Sequence, residues 1–168
     1  MKAQVSSEYY FSLVLFVMFA TYIVFQTISA TSVYRAEIRN RLLKAEAYQI
    51  SELLVNDFGE PLNWTQTSPG EIKRIGLSSE LKNLTNLISL DKIQAFNQTC
   101  SSDYNSIAEK LGVPQDYQFE ITIADLISNT LLASCSPPTK ISRQNIAEVT
   151  RIAALDSGSY AKISVRVW

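Results

Sequence analysis

The feature that most constrains this 168-residue chain is a long apolar stretch close to its N-terminus. From Tyr9 to Tyr34 there is no charged residue, and large apolar side chains dominate residues 9–26. Because a helix needs about 20 such residues to cross a bilayer, the stretch predicts a membrane-spanning helix or the apolar core of an assembly. A single carboxylate, Glu8, lies directly before it, where an unpaired charge in hydrocarbon costs roughly 2.5 kcal/mol or more. We therefore expect Glu8 to have a specific role.

A short motif lies at the N-terminal end of this stretch. Gln4, Ser6 and Glu8 read Q-x-S-x-E and follow a small residue, Ala3. This arrangement resembles the class III signal sequence of archaeal type IV pilin-like proteins. The resemblance implies that a prepilin peptidase cleaves between Ala3 and Gln4, which makes Glu8 the fifth residue of the mature chain. A looser resemblance to euryarchaeal members of the same group covers GEPLNWT, RIGL and ISLDKIQAF further along.

The resemblance also implies a function. We expect a structural subunit, a major or a minor pilin, of an archaeal type IV pilus-like surface filament that polymerises through its apolar N-terminal helix. The protein would reside in the cell membrane before assembly and in an extracellular filament afterwards, serving attachment or cell contact. Its implied partners are further copies of itself, the prepilin peptidase, an assembly ATPase and a polytopic platform protein. In the filament, Glu8 is expected to pair with the new α-amino group of Gln4 on a neighbouring subunit.

Two other interpretations of the apolar stretch stay open. The first is an uncleaved single-pass membrane anchor that presents an extracellular binding domain. The second is a secreted domain whose apolar run is an ordinary signal peptide, although the run is long for that purpose. The first residue of the mature protein distinguishes the three: Gln4 for the pilin, Met1 for the anchor, and a residue near Thr31 for the secreted domain.

The helical pattern continues after the apolar stretch, since residues 31–58 contain neither Gly nor Pro. We predict a leader peptide at residues 1–3 and one long helix over residues 4–58, apolar to about residue 30, with a stop at Gly59. Its second half is amphipathic. One apolar stripe comprises Ile38, Leu42, Ala45, Gln49 and Leu53, and the adjacent stripe comprises Leu43, Ala47, Ile50 and Leu54.

Residues 59–168 are predicted to form a small extracellular α+β domain. Residues 60–70 have the composition of a turn-rich loop, which Trp64 is expected to pin onto the domain. We further predict a short strand at 71–77, one or two helical turns within 86–96, and a helix at 103–111 capped by Ser101 or Ser102.

The last third of the chain has the pattern of strands. Apolar and polar residues alternate at 117–124 and 161–167, and a further strand is predicted at 130–135. Residues 146–155 fit a helix about as well as a strand. The tight turn DSGS that follows favours an antiparallel partner, so we interpret this segment as a strand. The predicted fold is an antiparallel sheet of about four strands with the long helix packed on one side.

Two cysteines and three sequons complete the candidate sites. Cys100 and Cys135 both follow the apolar stretch and are predicted to form one disulfide, as a pair in an extracytoplasmic domain commonly does; two free buried cysteines are the alternative. N-x-T triplets make Asn63, Asn83 and Asn97 candidate glycosylation sites. All three are expected in the loop-rich stretch between helix and sheet, where Asn and Thr also serve simply as turn residues.

The remaining composition argues against several classes of function. The chain has no histidine, and its 16 acidic residues are spread singly among 15 basic ones. No catalytic, phosphate-binding or metal-binding motif occurs. We therefore expect no enzymatic activity, no cofactor and no metal. A net charge of −1 gives no reason to expect a nucleic-acid partner.

Overall fold

A computed structural model describes residues 7–80, 84–139 and 145–168, and the chain divides into two compact units. The first unit comprises residues 1–39 and the second comprises residues 40–168. Helix α1 (Ser7–Asn56) contributes to both units. The predicted long helix is therefore present, and the second unit begins within it. The predicted leader peptide, residues 1–3, lies outside the described residues.

The second unit has an α+β fold built on a five-stranded mixed sheet. After α1 come two short 3₁₀ helices, Trp64–Gln66 and Pro69–Glu71. The later elements are β1 (Leu87–Ile88), α2 (Leu90–Ser102), α3 (Tyr104–Lys110), β2 (Phe119–Asp125), β3 (Leu131–Cys135), β4 (Ala147–Leu155) and β5 (Tyr160–Val167).

The strand order in the sheet is β1-β4-β5-β2-β3. Strands β2 to β5 pair antiparallel, as predicted, and the ambiguous segment 146–155 is indeed a strand. The fifth strand, β1, was not predicted. It is only two residues long and pairs parallel with β4, with Leu87 opposite Ala154. A segment this short has no periodicity by which it could be recognised.

One stripe of α1 packs into the core of the second unit. Leu43, Ala47, Ile50 and Leu54 are fully buried, together with the inward-facing residues of β2 and β5. The other predicted stripe does not pack in the same way, since Leu42 is 54% exposed. Successive helix residues are rotated by about 100°, so a sheet can cover only one side of the helix.

The chain turns sharply after α1, and Trp64 holds the turn. Its side chain is buried and its indole nitrogen donates to the carbonyl oxygen of Gly76 at 3.0 Å. A Cβ at Gly76 would lie 2.0 Å from the carbonyl oxygen of Asp57, so only glycine allows the two segments to approach this closely. The expectation that Trp64 pins this loop is confirmed.

One prediction in the middle of the chain is wrong, and another is confirmed with different bounds. Residues 71–77 do not form a strand: they carry part of a 3₁₀ helix and a single bridge between Glu60 and Arg74. The one or two helical turns expected within 86–96 are present as the first part of α2, which starts at Leu90 and continues to Ser102, whereas Leu87–Ile88 belong to β1. Short apolar runs are compatible with either element, and pairing with β4 decided between them.

Helix α3 is present as predicted, but its cap is different. Asp103 is the capping residue, and its carboxylate accepts a hydrogen bond from the backbone N–H of Ser106 at 3.0 Å. Ser101 and Ser102 instead end α2, where their hydroxyls donate to carbonyl oxygens three or four residues earlier. Aspartate is as good an N-cap as serine, and here it lies directly before the helix.

Candidate membrane-spanning and assembly segment

The first unit is a helix whose apolar side chains are exposed. Large residues spread around the helix, such as Phe11, Phe16 and Phe25, are each about 70% exposed. None of the most apolar part of α1 is buried, and within the described residues α1 is the one helix long and apolar enough to cross a membrane. An apolar surface this extensive marks a membrane or protein contact.

Four polar side chains of this segment form hydrogen bonds within the helix itself. Thr21, Thr27 and Thr31 each donate their hydroxyl to the carbonyl oxygen four residues earlier, at 2.7, 2.9 and 2.7 Å. Gln26 donates its amide to the hydroxyl of Tyr22 at 3.0 Å. In hydrocarbon, a polar group without a partner costs several kcal/mol. These contacts therefore fit the segment to apolar surroundings.

Glu8 lies in the first turn of α1 and is exposed. Unpaired backbone N–H groups give a helix N-terminus a partial positive charge, so this position favours a carboxylate. The predicted cleavage site, Ala3 and Gln4, lies outside the described residues. The pairing predicted between Gln4 and Glu8 of adjacent subunits therefore stays a prediction.

The predicted disulfide is present. Cys100 on α2 is bonded to Cys135 on β3, with their Cα atoms 5.6 Å apart. Both cysteines are buried in the core. Because they are bonded to each other, the alternative of two free buried cysteines is wrong. The bond fastens α2 to the edge strand of the sheet.

The candidate glycosylation sites lie in different surroundings. Asn63 is exposed and precedes the first 3₁₀ helix. Asn97 was expected in a loop but lies on α2, where it is half-buried. Its side-chain oxygen accepts a hydrogen bond from the backbone N–H of Ser134 at 3.0 Å. This bond covers part of the free edge of β3. Asn83 lies outside the described residues. Glycosylation of all three stays a prediction.

A buried lysine was missed by the sequence analysis. Lys92 is 7% exposed and donates to the carbonyl oxygens of Phe58 and Ser78, at 2.9 and 3.0 Å. It also lies 3.4 Å from the carboxylate of Glu80. These contacts tie the segment after α1 to α2. A single lysine at the start of a mixed helix has no sequence pattern that would reveal this role.

Arg151 was also missed, although the pattern of β4 contains a signal for it. The alternation along the strand places Arg151 on the same face as the packed residues Val149 and Ala153. Its guanidinium donates to the hydroxyl of Ser51 at 2.9 Å and forms an ion pair with Glu52. A basic residue in an inward-facing register needs such partners, and this requirement could have been read from the sequence.

Comparison with protein-family models, with curated proteins and with solved structures finds no match to this chain. The features of this chain that bear on function are therefore its N-terminal motif and the exposed apolar surface of the first unit. Among the described residues, no three His, Cys, Asp or Glu side chains are grouped so that they could hold a metal ion.

Proposed function

We propose that this chain is a structural subunit, a major or a minor pilin, of an archaeal type IV pilus-like surface filament. The observation that carries the proposal is the exposed apolar surface of α1, directly preceded by Glu8 and the Q-x-S-x-E motif. Lateral packing of α1 helices from many copies would remove this surface from water and lipid. Each large apolar side chain that becomes fully buried contributes roughly 1.5–3 kcal/mol relative to an exposed one in water.

In this proposal the chain is processed before it assembles. The apolar segment holds the precursor in the cell membrane, and a prepilin peptidase cuts between Ala3 and Gln4. An assembly ATPase and a platform protein then move the subunit from the membrane into the filament. The second unit faces the exterior, where Asn63, Asn83 and Asn97 are candidate glycan acceptors and the filament serves attachment.

Glu8 has a defined role in this assembly. Cleavage creates a positive α-amino group at Gln4, whose ordinary pKa is about 8. In a staggered bundle that amine meets Glu8 of the neighbouring subunit and fixes the axial register. The net gain from a buried ion pair is small, but removing one partner leaves an uncompensated charge and costs about 3–5 kcal/mol.

The test combines intact-mass measurement of native protein with filament yield. We expect the mature chain to begin at Gln4. Glu8→Gln should be inserted and cleaved normally yet assemble poorly, whereas Glu8→Asp, compared at equal protein level, should retain part of the yield because it keeps the charge. If Glu8→Gln assembles as well as the parent, the pairing is wrong and Glu8 only caps the helix, a contribution of roughly 1 kcal/mol.

A second candidate function is an uncleaved single-pass anchor for an extracellular binding domain. The internally satisfied polar side chains of α1 favour it as much as they favour the filament, since one such helix suffices to span a bilayer. A native protein that retains Met1 and remains monomeric in detergent would establish the anchor and exclude the filament.

A further inference from the structure

The residues that follow the apolar segment carry a net positive charge, with four basic residues and one acidic residue, Glu37, within residues 35–44. Arg35 is the first charged residue after Glu8, and four Lys or Arg residues occur within residues 35–44: Arg35, Arg39, Arg41 and Lys44. Between Lys2 and Arg35 the chain has no basic residue. The positively charged flank of a membrane span ordinarily stays in the cytoplasm.

The disulfide points to the opposite orientation. Cys100 and Cys135 are bonded, and disulfides persist in oxidising compartments outside the cytoplasm. The domain after the span is therefore extracytoplasmic. Its basic flank then lies on the extracytoplasmic side, whereas basic residues that orient a membrane span lie on the cytoplasmic side. An orientation role thus does not explain this charge, and another role is needed.

The arrangement of the first two arginines indicates that role. Arg35 and Arg39 are one helical turn apart on one face, and both are exposed. Within the described residues neither forms an ion pair, whereas Arg74, Arg151 and Arg166 all do.

An apolar row runs beside these arginines. Tyr34 and Ile38, also one turn apart, are 65% and 57% exposed. Tyrosine is enriched at the headgroup level of membranes, and arginine extends its charged end toward that level from an apolar stem. Residues 34–39 therefore present the side chains of a membrane–water interface directly after a membrane-spanning segment.

We propose that Arg35 and Arg39 bind the anionic headgroups of membrane lipids, with their guanidinium groups donating to phosphate oxygens. The occupant follows from charge complementarity and from the continuity of these residues with the apolar segment. Planar guanidinium groups suit phosphate well, and Tyr34 and Ile38 lie alongside in the interface. The proposal rests on insertion of α1 into a membrane and not on polymerisation, so a failure of filament assembly would leave it standing.

The test is lipid selectivity of the full-length protein in phosphatidylcholine vesicles. Spin-labelled phosphatidylglycerol and spin-labelled phosphatidylcholine serve as probes, and electron paramagnetic resonance gives their relative association with the protein. A basic residue held near anionic lipid strengthens association by about fivefold. We expect the parent to prefer phosphatidylglycerol, and Arg35→Gln/Arg39→Gln to lose most of that preference.

Two matched variants sharpen the result. Arg35→Lys/Arg39→Lys keeps both charges and should keep most of the preference. Lys110→Gln/Lys162→Gln removes two charges from the second unit and should leave the preference unchanged. The proposal is overturned if Arg35→Gln/Arg39→Gln retains the parental preference, since these arginines would then hold no headgroup. It is also overturned if the control pair reduces the preference equally, since the preference would then depend on total charge and not on these two arginines.

Discussion

Leu15 and Leu43 lie on the same helix, yet Leu15 is 56% exposed and Leu43 is completely buried. The difference comes from what surrounds each half of α1. Residues 40–56 belong to a unit with its own sheet and core, whereas residues 7–39 form a unit that has only the helix itself. The second unit buries a core of its own, whereas the large apolar side chains of residues 9–28 are exposed.

The charges divide in the same way. The first unit has no charged residue from Tyr9 to Tyr34, and its charges lie on either side of that stretch. The second unit pairs its charges on or near its surface, as in the ion pair of Arg166 with Glu148 at 3.1 Å. Residues 9–34 are thus compatible with an apolar environment, whereas the second unit carries ion pairs on its surface.

The largest expected effect tests this contrast with one substitution made in each unit. Leu43→Ala should lower the free energy of unfolding of the second unit by about 2–5 kcal/mol, because it leaves a cavity in a packed core. Leu15→Ala should change that free energy by no more than about 0.5 kcal/mol. Denaturant unfolding in detergent measures both. Equal losses for the two variants would mean that the first unit is not independent of the core.

The disulfide should matter nearly as much, and only to the second unit. Cys100→Ala/Cys135→Ala opens a link between residues 35 positions apart, which in the chain-entropy model costs roughly 3–4 kcal/mol. Thermal unfolding with and without reductant measures the loss. Membrane insertion of the variant, followed by carbonate extraction, should match the parent; a loss of insertion would contradict the separation of the two units.

A smaller effect is expected from the buried lysine. Lys92→Met removes charge-assisted hydrogen bonds to the carbonyl oxygens of Phe58 and Ser78 and should destabilise the second unit by about 2 kcal/mol. Lys73→Met is the matched control, because Lys73 pairs with Glu60 on the exposed surface, where such pairs contribute about 0–1 kcal/mol. Similar unfolding midpoints for the two variants would show that the buried contacts of Lys92 contribute no more to stability than the exposed pair of Lys73.

The smallest effect concerns the turn between β2 and β3. The carboxylate of Asp125 accepts from the backbone N–H groups of Ile127 and Ser128 and from the Ser128 hydroxyl. Led by the bonds from Ser128, these contacts lower the pKa of Asp125 below its usual 3.8. The carboxylate therefore stabilises the fold above that pH, and the contribution is lost as the pH falls through the lowered pKa.

Asp125→Asn isolates that contribution, because the amide keeps an acceptor and removes the charge. The parent should be slightly more stable than the variant near neutral pH, and the difference should close in acid. Chemical denaturation at a series of pH values measures it. A difference that grows as the pH falls would have the wrong sign for a lowered pKa.

The sequence determined by itself those features that depend on composition and local periodicity. An uncharged run as long as residues 9–34 leaves few alternatives to an apolar helix, and strict alternation predicted β2 and β5. The tight turn before Tyr160 decided that residues 146–155 form a strand. Two cysteines in a domain expected to be extracytoplasmic were enough to predict the disulfide.

Only the tertiary structure decided the features that depend on distant partners. Which stripe of α1 is buried depends on where the sheet lies, so Leu43 and not Leu42 enters the core. The two-residue strand β1 forms by pairing with β4. Asn97 lies on a helix because α2 continues beyond the predicted helical turns to Ser102. Lys92 is buried because the carbonyl oxygens of Phe58 and Ser78 converge on it, and such convergence leaves no local pattern in the sequence.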